Sequence, residues 1–489
     1  MRCGTAVFFL GVVACAGGSG ASQIPTPVGS FRPEDRVVIG DFSQVNALAA
    51  TIDRLYVVYP TALAIWKPLE RRWEVPRSPR RPEVLRGVTR AVVDPLDRSL
   101  WLASGSAWIH YDPIANRWDE GVMAVPPARL PRTGTTVEDA MRDLPQLRSL
   151  APTIATGPLL TRGTITAAAR DPLGNGWFLG TSTRGLVFFD RMATDVQPMS
   201  LGLRGDAVGA IALTDDGVWV ATENDGLHPA SLAHLATELD ASSAVTGSAA
   251  RGLPFNQVRQ LLVTSDGVWL ATDQGAVHVS RSGDRVDRFG ATNGLGDGRV
   301  LSLALYRGHV VAGTMRGLSE SHGDSGFVAL APGFADPVYS LRANGDTLWI
   351  GTVRGLFALF PGSDEPRMSD GFRLLAGSST AILAIDYIAD TLVAMTPSQL
   401  LWRDPRSGGW TVGPDLSHQV GSLVALEPTD NGAWVGGTNG AAFVRGNGTV
   451  LQLMLVPGDL PGEVTSVATR GRYLWIGTRA GLVRFLLTN

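Results

Sequence analysis

The residues that most often carry enzyme chemistry are few in this chain and widely spaced. The 489-residue sequence contains seven histidines and two cysteines. No histidines form a His-x-x-x-His or His-Glu-x-x-His pattern, and both cysteines lie in the first fifteen residues, so zinc ligation and thiol catalysis in the body are not predicted. His110 and His278 fall on predicted third strands and are interpreted as packed or surface residues. We therefore predict no catalytic residue, no metal site and no cofactor.

A second group of polar residues recurs beside the glycine of a repeated turn. Because the turn repeats, these side chains are expected to ring one end of the fold as a basic arc and an acidic arc. Such a face suits a polar ligand or a protein partner. Ordinary solvated turns are the alternative. The candidate partner-binding or ligand-binding residues are Arg184, Glu223, Asp225, Asp273, Arg316, Arg354 and Arg479.

The turns belong to a hairpin that recurs along the chain, seen in Leu474-Trp475-Ile476-Gly477-Thr478 with a following Gly481. Two apolar runs around a glycine-containing turn are typical of a β-hairpin. The units lie about 42 residues apart, which is the length of one four-stranded propeller blade. The pattern predicts an all-β propeller. The positions aligned on the second strand are Tyr56, Trp101, Phe178, Trp219, Trp269, Val311, Trp349, Val393, Trp434 and Trp475.

The two ends of the repeat array predict how the propeller closes. The last unit stops after its third strand, and Arg36-Val37-Val38-Ile39 is the candidate for its missing outer strand. Pairing the first and last parts of the chain would leave no free sheet edge. We predict a single β-propeller of about ten four-stranded blades. Two smaller propellers are the alternative.

The repeat phrases resemble the two-component regulator propeller repeat. The phrases are Asp266-Gly267-Val268-Trp269-Leu270-Ala271-Thr272, the Leu474 to Leu482 hairpin, and the lead-in from Gly252 to Val258. The resemblance covers roughly residues 200 to 485 well and 45 to 190 loosely. It implies a periplasmic sensor-type propeller with an extracytoplasmic binding role, here as a stand-alone lipoprotein.

The N-terminus predicts export and anchoring. Arg2 and the apolar run from Thr5 to Ala14 are typical of an export signal, and the run is too short to span a bilayer as a stable helix. Val12-Val13-Ala14-Cys15 resembles the bacterial lipobox, so Cys15 is the predicted lipid anchor, with an ordinary cleavage site as the alternative. Residues 16–35 form a Gly-, Ser- and Pro-rich tether with a reach of roughly 25 Å. The predicted domains are a signal at 1–15, the tether at 16–35 and the propeller at 36–489.

Two predicted helices and one basic segment interrupt the repeats. A capping box at Thr135-Thr136-Val137-Glu138 predicts a short helix inside an insertion at 121–160, and a second helix is predicted from Pro229 to Leu239. They are interpreted as covers for exposed sheet edges, with a docking role for 121–160 as the alternative. The arginine-rich segment from Lys67 to Arg90 is interpreted as a solvated loop, with anionic lipid headgroups as the alternative ligand.

Three functions remain open from the sequence. The first is a lipid-anchored periplasmic or outer-membrane propeller that binds a protein partner or scaffolds an envelope complex. The second is a sensor propeller that binds a small polar ligand or glycan. The third, a propeller lyase or glycan hydrolase, rests on fold analogy alone. The formal net charge of −3 gives no reason to expect a nucleic-acid partner.

Overall fold

The computed structural model describes residues 32–487, apart from residues 33–34, 120–124, 132–134, 145–163, 193–194, 200, 204, 227, 237–249, 252, 371, 373–380 and 447. The predicted export signal and Cys15 lie outside the described residues, as does most of the tether.

The described chain forms ten antiparallel sheets of four strands each, which agrees with the predicted all-β fold. Sheet 1 contains β2 Ala47–Ala50, β3 Leu55–Val58, β4 Leu63–Lys67 and β5 Arg72–Glu74. Sheet 2 contains β6 Val88–Val93, β7 Leu100–Ser104, β8 Ala107–Asp112 and β9 Arg117–Asp119. Sheet 3 contains β10 Ile165–Arg170, β11 Gly176–Thr181, β12 Leu186–Asp190 and β13 Asp195–Met199.

The next four sheets follow the same order along the chain. Sheet 4 contains β14 Val208–Leu213, β15 Gly217–Thr222, β16 Ser231–Ala236 and β17 Ala250–Arg251. Sheet 5 contains β18 Val258–Val263, β19 Gly267–Thr272, β20 Gly275–Ser280 and β21 Val286–Phe289. Sheet 6 contains β22 Val300–Tyr306, β23 His309–Thr314, β24 Gly317–Ser321 and β25 Phe327–Ala329. Sheet 7 contains β26 Val338–Asn344, β27 Thr347–Thr352, β28 Gly355–Leu359 and β29 Arg367–Met368.

The last three sheets include the closing strand. Sheet 8 contains β30 Ala384–Ile388, β31 Thr391–Met395, β32 Leu400–Arg403 and β33 Trp410–Val412. Sheet 9 contains β34 Leu423–Thr429, β35 Gly432–Gly437, β36 Gly440–Arg445 and β37 Val450–Leu455. Sheet 10 contains β38 Val464–Arg470, β39 Tyr473–Thr478, β40 Gly481–Leu486 and, as its fourth strand, β1 Arg36–Ile39.

Two sequence predictions are confirmed at this level. Each of the ten aligned positions lies in the second strand of its sheet. The closing strand pairs as predicted, with Arg36 opposite Phe485 and Ile39 opposite Leu482. The β-branched and aromatic residues of these strands are buried between neighbouring sheets, because both faces of each sheet are covered.

Seven of the sheets contact one another in a cyclic order. The first strands touch in the sequence β14, β18, β22, β26, β30, β34 and β38, and β38 in turn touches β14. A close approach recurs at several of these steps: a Cβ placed on Gly313 would lie 2.6 Å from Val338 Cγ1, and one on Gly477 would lie 2.8 Å from Val208 Cγ1. Sheet 4 therefore follows sheet 10, and we call sheets 4–10 the seven-sheet unit.

Sheets 1–3 form a second group, the three-sheet unit, and the core of sheets 1 and 3 is continuous with that of sheets 4 and 10. The first strands of sheets 1–3 touch in the order β10, β2 and β6. A Cβ placed on Gly180 of sheet 3 would lie 2.5 Å from Val45 Cγ1, directly before β2. Thr166 Oγ1 also donates to the Val45 carbonyl at 2.6 Å. Sheet 3 therefore packs directly against sheet 1.

This order corrects the prediction of a single ring of about ten blades. In such a ring, sheet 10 would adjoin sheet 1 and sheet 3 would adjoin sheet 4. Here sheet 10 adjoins sheet 4 and sheet 3 adjoins sheet 1. The physical reason is that the described sheets 1–3 lie in the chain between the closing strand and the sheets with which that strand packs. The spacing of the repeats along the chain does not reveal which sheets are neighbours in space.

The buried guanidinium of Arg36 joins the two units. It donates to the carbonyl oxygens of Gly458 and Asp459 at 2.8 and 2.6 Å, in the seven-sheet unit. It also donates to those of Pro79 and Arg80 at 3.0 and 2.7 Å, in the three-sheet unit. Because Arg36 is only 2% exposed, these four carbonyls provide its solvation inside the protein.

The helix predictions have mixed outcomes. The helix in the 121–160 insertion is confirmed as α1 Val137–Asp143, but its capping box uses Thr136 and Asp139, one residue later than predicted. The helix predicted from Pro229 to Leu239 is wrong, because Ser231–Ala236 is a strand that pairs with β15. Leucines three residues apart satisfied a helical spacing, yet the partner strand decides the conformation. A second short helix, α2, spans Ser417–Val420.

The Lys67 to Arg90 segment is more ordered than the predicted loop. It contains β5 and a 3-10 helix at Pro82–Gly87, before β6 begins at Val88. Ser78 within it donates its backbone N–H to the Arg36 carbonyl at 2.9 Å and accepts a hydrogen bond from Val38 N at 2.8 Å. The segment therefore covers the outer edge of sheet 10, which would otherwise be open to pairing.

Candidate functional site

The turns between second and third strands lie at one end of the sheets, which we call the turn face. A buried threonine ends most of the second strands and organises the turn. Thr478 Oγ1 donates to the Gly481 carbonyl at 2.7 Å and accepts from Ala480 N at 3.1 Å. Thr272 makes the same contact with Gly275 at 2.7 Å. The recurrent threonines are therefore structural, and the residues beside them are presented at the turn face.

Glu223 and Arg479 are brought together by the ring order. The Arg479 guanidinium, in the sheet 10 turn, pairs with the Glu223 carboxylate, in the sheet 4 turn. Glu223 is 7% exposed while Arg479 is 46% exposed. Glu223 also accepts a hydrogen bond from Val258 N of sheet 5 at 3.3 Å. This carboxylate thus connects three sheets, and the pair joins the predicted basic and acidic arcs.

Arg354 is also paired, within sheet 7. Its Nε donates to Asp336 Oδ2 at 2.8 Å, and its guanidinium lies 5.6 Å from the centroid of the Phe357 ring. Asp336 lies just before β26, so the ion pair ties the sheet's lead-in to its own turn. The arginine remains exposed, at 58% of its side chain.

The two predicted aspartates cap backbone groups. Asp273 accepts hydrogen bonds from the backbone N–H of Asn256 and Gln257 at 2.9 and 3.0 Å, which fixes the lead-in to β18. Asp225 accepts from His228 N at 2.7 Å and lies 3.1 Å from His228 Nδ1. Asp225 thus stabilises its own turn, whereas Asp273 ties its turn to the segment that leads into β18.

Arg316 and Arg184 lie apart from each other. Arg316 is exposed on the turn face of the seven-sheet unit, where its backbone N–H bonds to Thr314 Oγ1 at 3.0 Å. Arg184 is half-buried in sheet 3 of the three-sheet unit. The four predicted arginines therefore do not make one basic arc, because sheet 3 is outside the cyclic order.

A polar cluster that sequence reasoning missed lies where the two units meet. His228 Nε2 lies 3.3 Å from Asp41 Oδ2, and its other ring nitrogen faces Asp225. Asp206 accepts a hydrogen bond from Asp41 N at 2.6 Å, and burial raises the pKa of Asp206. Asp225 was predicted, but Asp41 and Asp206 are distant from it in sequence and follow no motif, so no local signal could have placed them beside His228.

Three histidines pack against the second-strand tryptophans of their own sheets. Ring centroids are 4.5 Å apart for Trp101 and His110, and 4.8 Å apart for Trp269 and His278. The packed interpretation of His110 and His278 is confirmed. The third pair, Trp219 with His234, lines a cavity of about 160 Å³ between sheets 4 and 5. Burial lowers the pKa of His234 there.

A row of ionisable residues occupies equivalent positions of three successive first strands. Arg342 on β26 pairs with Asp386 on β30 at 2.9 Å, and Glu427 on β34 follows. Glu427 accepts a hydrogen bond from Thr469 N of sheet 10 at 2.9 Å. Burial raises the pKa of Glu427 to about 7 and also raises that of Asp386. These groups are isolated in sequence, and their alignment appears only once the sheets are stacked.

A second cavity, of about 380 Å³, lies among the first strands of the three-sheet unit and α1. Its polar lining comes from threonines and one arginine that stands over the Trp108 ring. Hydroxyl and guanidinium groups of this kind suit a small hydroxylated or anionic ligand. The polar lining residues are Thr89, Arg90, Thr135, Thr136 and Thr166.

The described residues form neither a metal-binding cluster nor a membrane-spanning helix. No group of three or more His, Cys, Asp or Glu side chains within them is arranged to hold a metal ion. Within the same part of the chain, no helix has the length and apolar character needed to cross a bilayer.

No protein-family model matches the chain, and no curated protein matches it by sequence. Among solved structures, it is similar to virginiamycin B lyase from Staphylococcus aureus, at 13% identity and a TM-score of 0.47, over 58% of this chain and 96% of that one. It is also similar to an extracellular domain assigned to a one-component system of B. thetaiotaomicron, at 12% identity and a TM-score of 0.41, over 91% of this chain and 71% of that one.

A third similar structure is the extracellular domain assigned to a hybrid two-component system of B. thetaiotaomicron. Its identity is 12% and its TM-score 0.33, over 91% of this chain and 69% of that one. Extracellular domains of such systems are the class of protein that the repeat phrases resemble. At these identities and TM-scores, no activity, ligand or partner is transferred from any of the three.

Proposed function

We propose that the protein is an exported, non-enzymatic binding module that serves as a protein-binding or scaffold subunit of a bacterial envelope complex. The observation that carries the proposal is how the charged side chains of the turn face are paired. Most of its predicted charged side chains pair with each other or cap backbone groups, as Arg479 does with Glu223 and Arg354 with Asp336, while Arg316 stays exposed. Such a broad polar face suits a complementary protein surface.

The arrangement of the sheets supports the same proposal. We interpret the seven-sheet unit as a seven-bladed propeller closed by β1, and the three-sheet unit as an accessory body inserted after that strand. The buried Arg36 fixes the two bodies to each other through four carbonyl oxygens. Two surfaces held at a fixed angle are what a scaffold needs in order to orient two neighbours.

Anchoring at Cys15 remains part of the proposal, with the tether placing the body near a periplasmic or outer-membrane surface. Three acyl chains would hold a protein firmly, since each buried CH₂ contributes about 0.8 kcal/mol. Cys15→Ala is expected to move the protein from the membrane to the soluble fraction. A variant that stays in the membrane would refute lipidation at this residue.

The partner is tested by gentle solubilisation of native membranes, followed by size separation and mass spectrometry. A stoichiometric companion is expected, and Arg316→Glu, on the exposed turn face, is expected to weaken its recovery. Arg81→Glu is the matched control, because Arg81 is an exposed arginine of the three-sheet unit. Recovery of the chain alone at its own mass would contradict the scaffold function.

A second candidate function, capture of a small polar ligand such as a glycan fragment, is favoured by the cavity of about 380 Å³ in the three-sheet unit. Arg90→Ala is expected to abolish binding in a glycan screen if this cavity is the site. Charge reversal at Arg316 and Arg354 would instead abolish it if the turn face is the site. Unchanged affinity in all three variants would contradict the sensor function.

A further inference from the structure

The cavity of about 160 Å³ between sheets 4 and 5 has a polar lining that the proposed functions do not use. It lies at the end of the seven-sheet unit opposite the turn face, beside the turns at 214–217 and 264–267 that join first and second strands. The lining side chains that could contact a ligand are Thr214, Asp216, Trp219, His234, Val263 and Arg281.

A local hydrogen-bond pattern fixes Asp216 at the mouth of the cavity. Thr214 N donates to the Gly217 carbonyl at 2.8 Å, and Thr214 Oγ1 donates to Asp216 Oδ1 at 2.7 Å. The hydrogen bond from Thr214 lowers the pKa of Asp216, and the nearby Arg281 guanidinium lowers it further. The side chain is 60% exposed. Because a carboxylate accepts up to about four hydrogen bonds, Asp216 keeps acceptor capacity for a ligand.

His234 forms the inner wall and has an unused ring nitrogen. It pairs across the strands with Trp219, and the two ring centroids are 4.6 Å apart. Gly217 makes room for the imidazole, since a Cβ there would lie 2.8 Å from His234 Nε2. This nitrogen is buried without a hydrogen-bond partner among the described residues, and Asp216 Oδ1 lies 3.6 Å away. A ligand that satisfied it would remove the cost of an unpaired buried polar atom.

Arg281 brings the opposite charge to the same cavity. It directly follows β20, and its backbone N–H donates to the Asp266 carbonyl at 3.2 Å. Burial lowers the pKa of His234, and the positive charge of Arg281 acts in the same direction, so the imidazole is neutral at neutral pH. In the described part of the chain, no ion pair joins Arg281 to Asp216. The cavity therefore offers a carboxylate and a guanidinium that are not paired with each other.

The next sheet carries the same stack of rings and gives a comparison inside the chain. Trp269, His278 and Asp266 occupy the equivalent positions, with His278 Nε2 3.5 Å from Asp266 Oδ2. There, His278 Nδ1 lies 3.6 Å from Asp287, and the Phe289 ring packs on the indole with centroids 5.4 Å apart. The stack is thus a structural feature of the repeat, whereas the arginine that lines the cavity belongs to the junction of sheets 4 and 5.

The volume limits the ligand to a small molecule. A protein cavity of about 150 Å³ holds a benzene molecule, so a cavity of about 160 Å³ accepts a ligand of similar size. A hexose is larger than that. An α-amino acid with a short side chain matches the volume, and its two charges match the two charged groups of the lining.

We propose that this cavity binds a free α-amino acid with a short side chain. The ammonium group would contact the Asp216 carboxylate and donate to His234 Nε2, while the α-carboxylate would contact the Arg281 guanidinium. The short side chain would lie against Trp219 and Val263. A ligand with one charge alone would leave the other charged group unused.

The inference goes beyond the proposed scaffold function. It also concerns a different cavity from the one of about 380 Å³ in the three-sheet unit. It would make the seven-sheet unit a receptor for a small nutrient-like molecule, whichever partner the turn face contacts.

Isothermal titration calorimetry with the purified full chain tests the site. L-Alanine and L-serine are the probes, and both are expected to bind. Propionate and ethylamine are the matched ligands, because each resembles alanine with one of its two charged groups removed. Both are expected to bind at least about tenfold more weakly than alanine.

Two substitutions test the two charged groups of the site. Asp216→Asn and Arg281→Gln should each weaken binding of alanine at least about tenfold, because each removes one charged partner of the ligand. Asp216→Asn keeps an acceptor for Thr214 Oγ1, so the turn should still form. Circular dichroism checks that both variants fold.

The control variants change the same residue types outside the cavity lining. Asp266→Asn alters the equivalent turn of sheet 5, where Asp266 accepts from Thr264 Oγ1 at 2.6 Å. Arg285→Gln alters an exposed arginine in the loop that contains Arg281, which pairs with Asp287 at 2.8 Å. Both variants should bind alanine as tightly as the parent protein does.

Three results would overturn the proposal: no heat of binding with either amino acid, propionate or ethylamine binding as tightly as alanine, or equal losses in the Asp266→Asn and Arg285→Gln controls. The Arg90→Ala variant should bind alanine normally, since it alters the other cavity. Recovery of an envelope partner is a separate measurement, so failure of the scaffold function and failure of this site are distinguishable.

Discussion

Arg479, in the last sheet of the chain, forms an ion pair with Glu223, in the fourth sheet. A second pair, Arg470 with Asp215, joins the same two sheets at their opposite ends. Residues separated by most of the seven-sheet unit in sequence are thus neighbours in space. The two pairs differ in burial, since Glu223 is 7% exposed and Asp215 is 95% exposed.

The difference in burial predicts different coupling energies. A double-mutant cycle with Glu223→Gln and Arg479→Ala should give about 1–2 kcal/mol, because Glu223 is desolvated and also holds Val258 N. The cycle with Asp215→Asn and Arg470→Ala should stay below about 0.5 kcal/mol, as for exposed pairs. Chemical denaturation measures both. Equal coupling in the two cycles would contradict this account of the junction.

Arg36→Met should destabilise the protein by about 3 kcal/mol or more, since it leaves four carbonyl oxygens without their donor. The loss should appear in thermal unfolding as a lower midpoint or as separate transitions for the two units. Arg81→Ala, at an exposed position nearby, should change the midpoint little. A midpoint for Arg36→Met equal to that of the parent protein would show that Arg36 does not join the units.

Gly477→Ala tests the contact between sheets 10 and 4. The added Cβ would lie 2.8 Å from Val208 Cγ1 of sheet 4 and in closer contact with Ser466 Oγ of its own sheet, so both neighbours must move, at a cost of about 1–3 kcal/mol. Gly446→Ala is the matched control, because a Cβ there meets nothing within 4 Å. Denaturant titration should show a clear loss for the first variant alone. Equal midpoints would argue against close packing of these two sheets.

Glu427 should make stability depend on pH. Its folded pKa of about 7 lies above the ordinary glutamate value of 4.5, because burial disfavours the charged form. The folded state therefore binds more protons than the unfolded state between these values, and stability should fall as pH rises from about 4.5 to about 7. Below that window the contribution is constant, and above it the full penalty remains.

The variant Glu427→Gln should flatten this decline, because its amide oxygen can still accept from Thr469 N. Part of the decline should remain, since burial also raises the pKa of Asp386. At pH 8, Glu427→Gln should be more stable than the parent by about 1–3 kcal/mol. Glu365→Gln, at an exposed glutamate, is the control and should leave the profile unchanged. An unchanged profile for Glu427→Gln would contradict the assignment.

The local part of the fold was predictable because it depends on short-range pattern. The hairpin around Trp475 and the closing strand at Arg36 carry alternating apolar residues and turn glycines, and both form as predicted. The order of the sheets was not predictable. It depends on which valine meets Gly180 and Gly477, and most first strands of the chain begin with such a valine. Spacing along the sequence cannot choose between them.

The candidate site was predictable only as a set of positions. The repeat placed Glu223 and Arg479 in turns, but their pairing depends on sheet 4 following sheet 10. The ionisable row containing Glu427 had no sequence signal at all, since its members align only across stacked sheets. The leucines between Pro229 and Leu239 show the converse case, in which a local helical spacing was present and a strand formed.

The pairing of β1 with β40 has a consequence for how the protein reaches its native state. β1 is made before sheets 1–3 and must wait for β40, which is made after sheets 1–9, because Arg36 pairs with Phe485. During that interval its hydrogen-bonding edge has no native partner, whereas sheets 1–3 can complete their own strand pairing as soon as they emerge. We expect the three-sheet unit to mature early and the ring to close in a late, slow step. Shortening the chain by its final strand should therefore arrest maturation after the early step rather than abolish it.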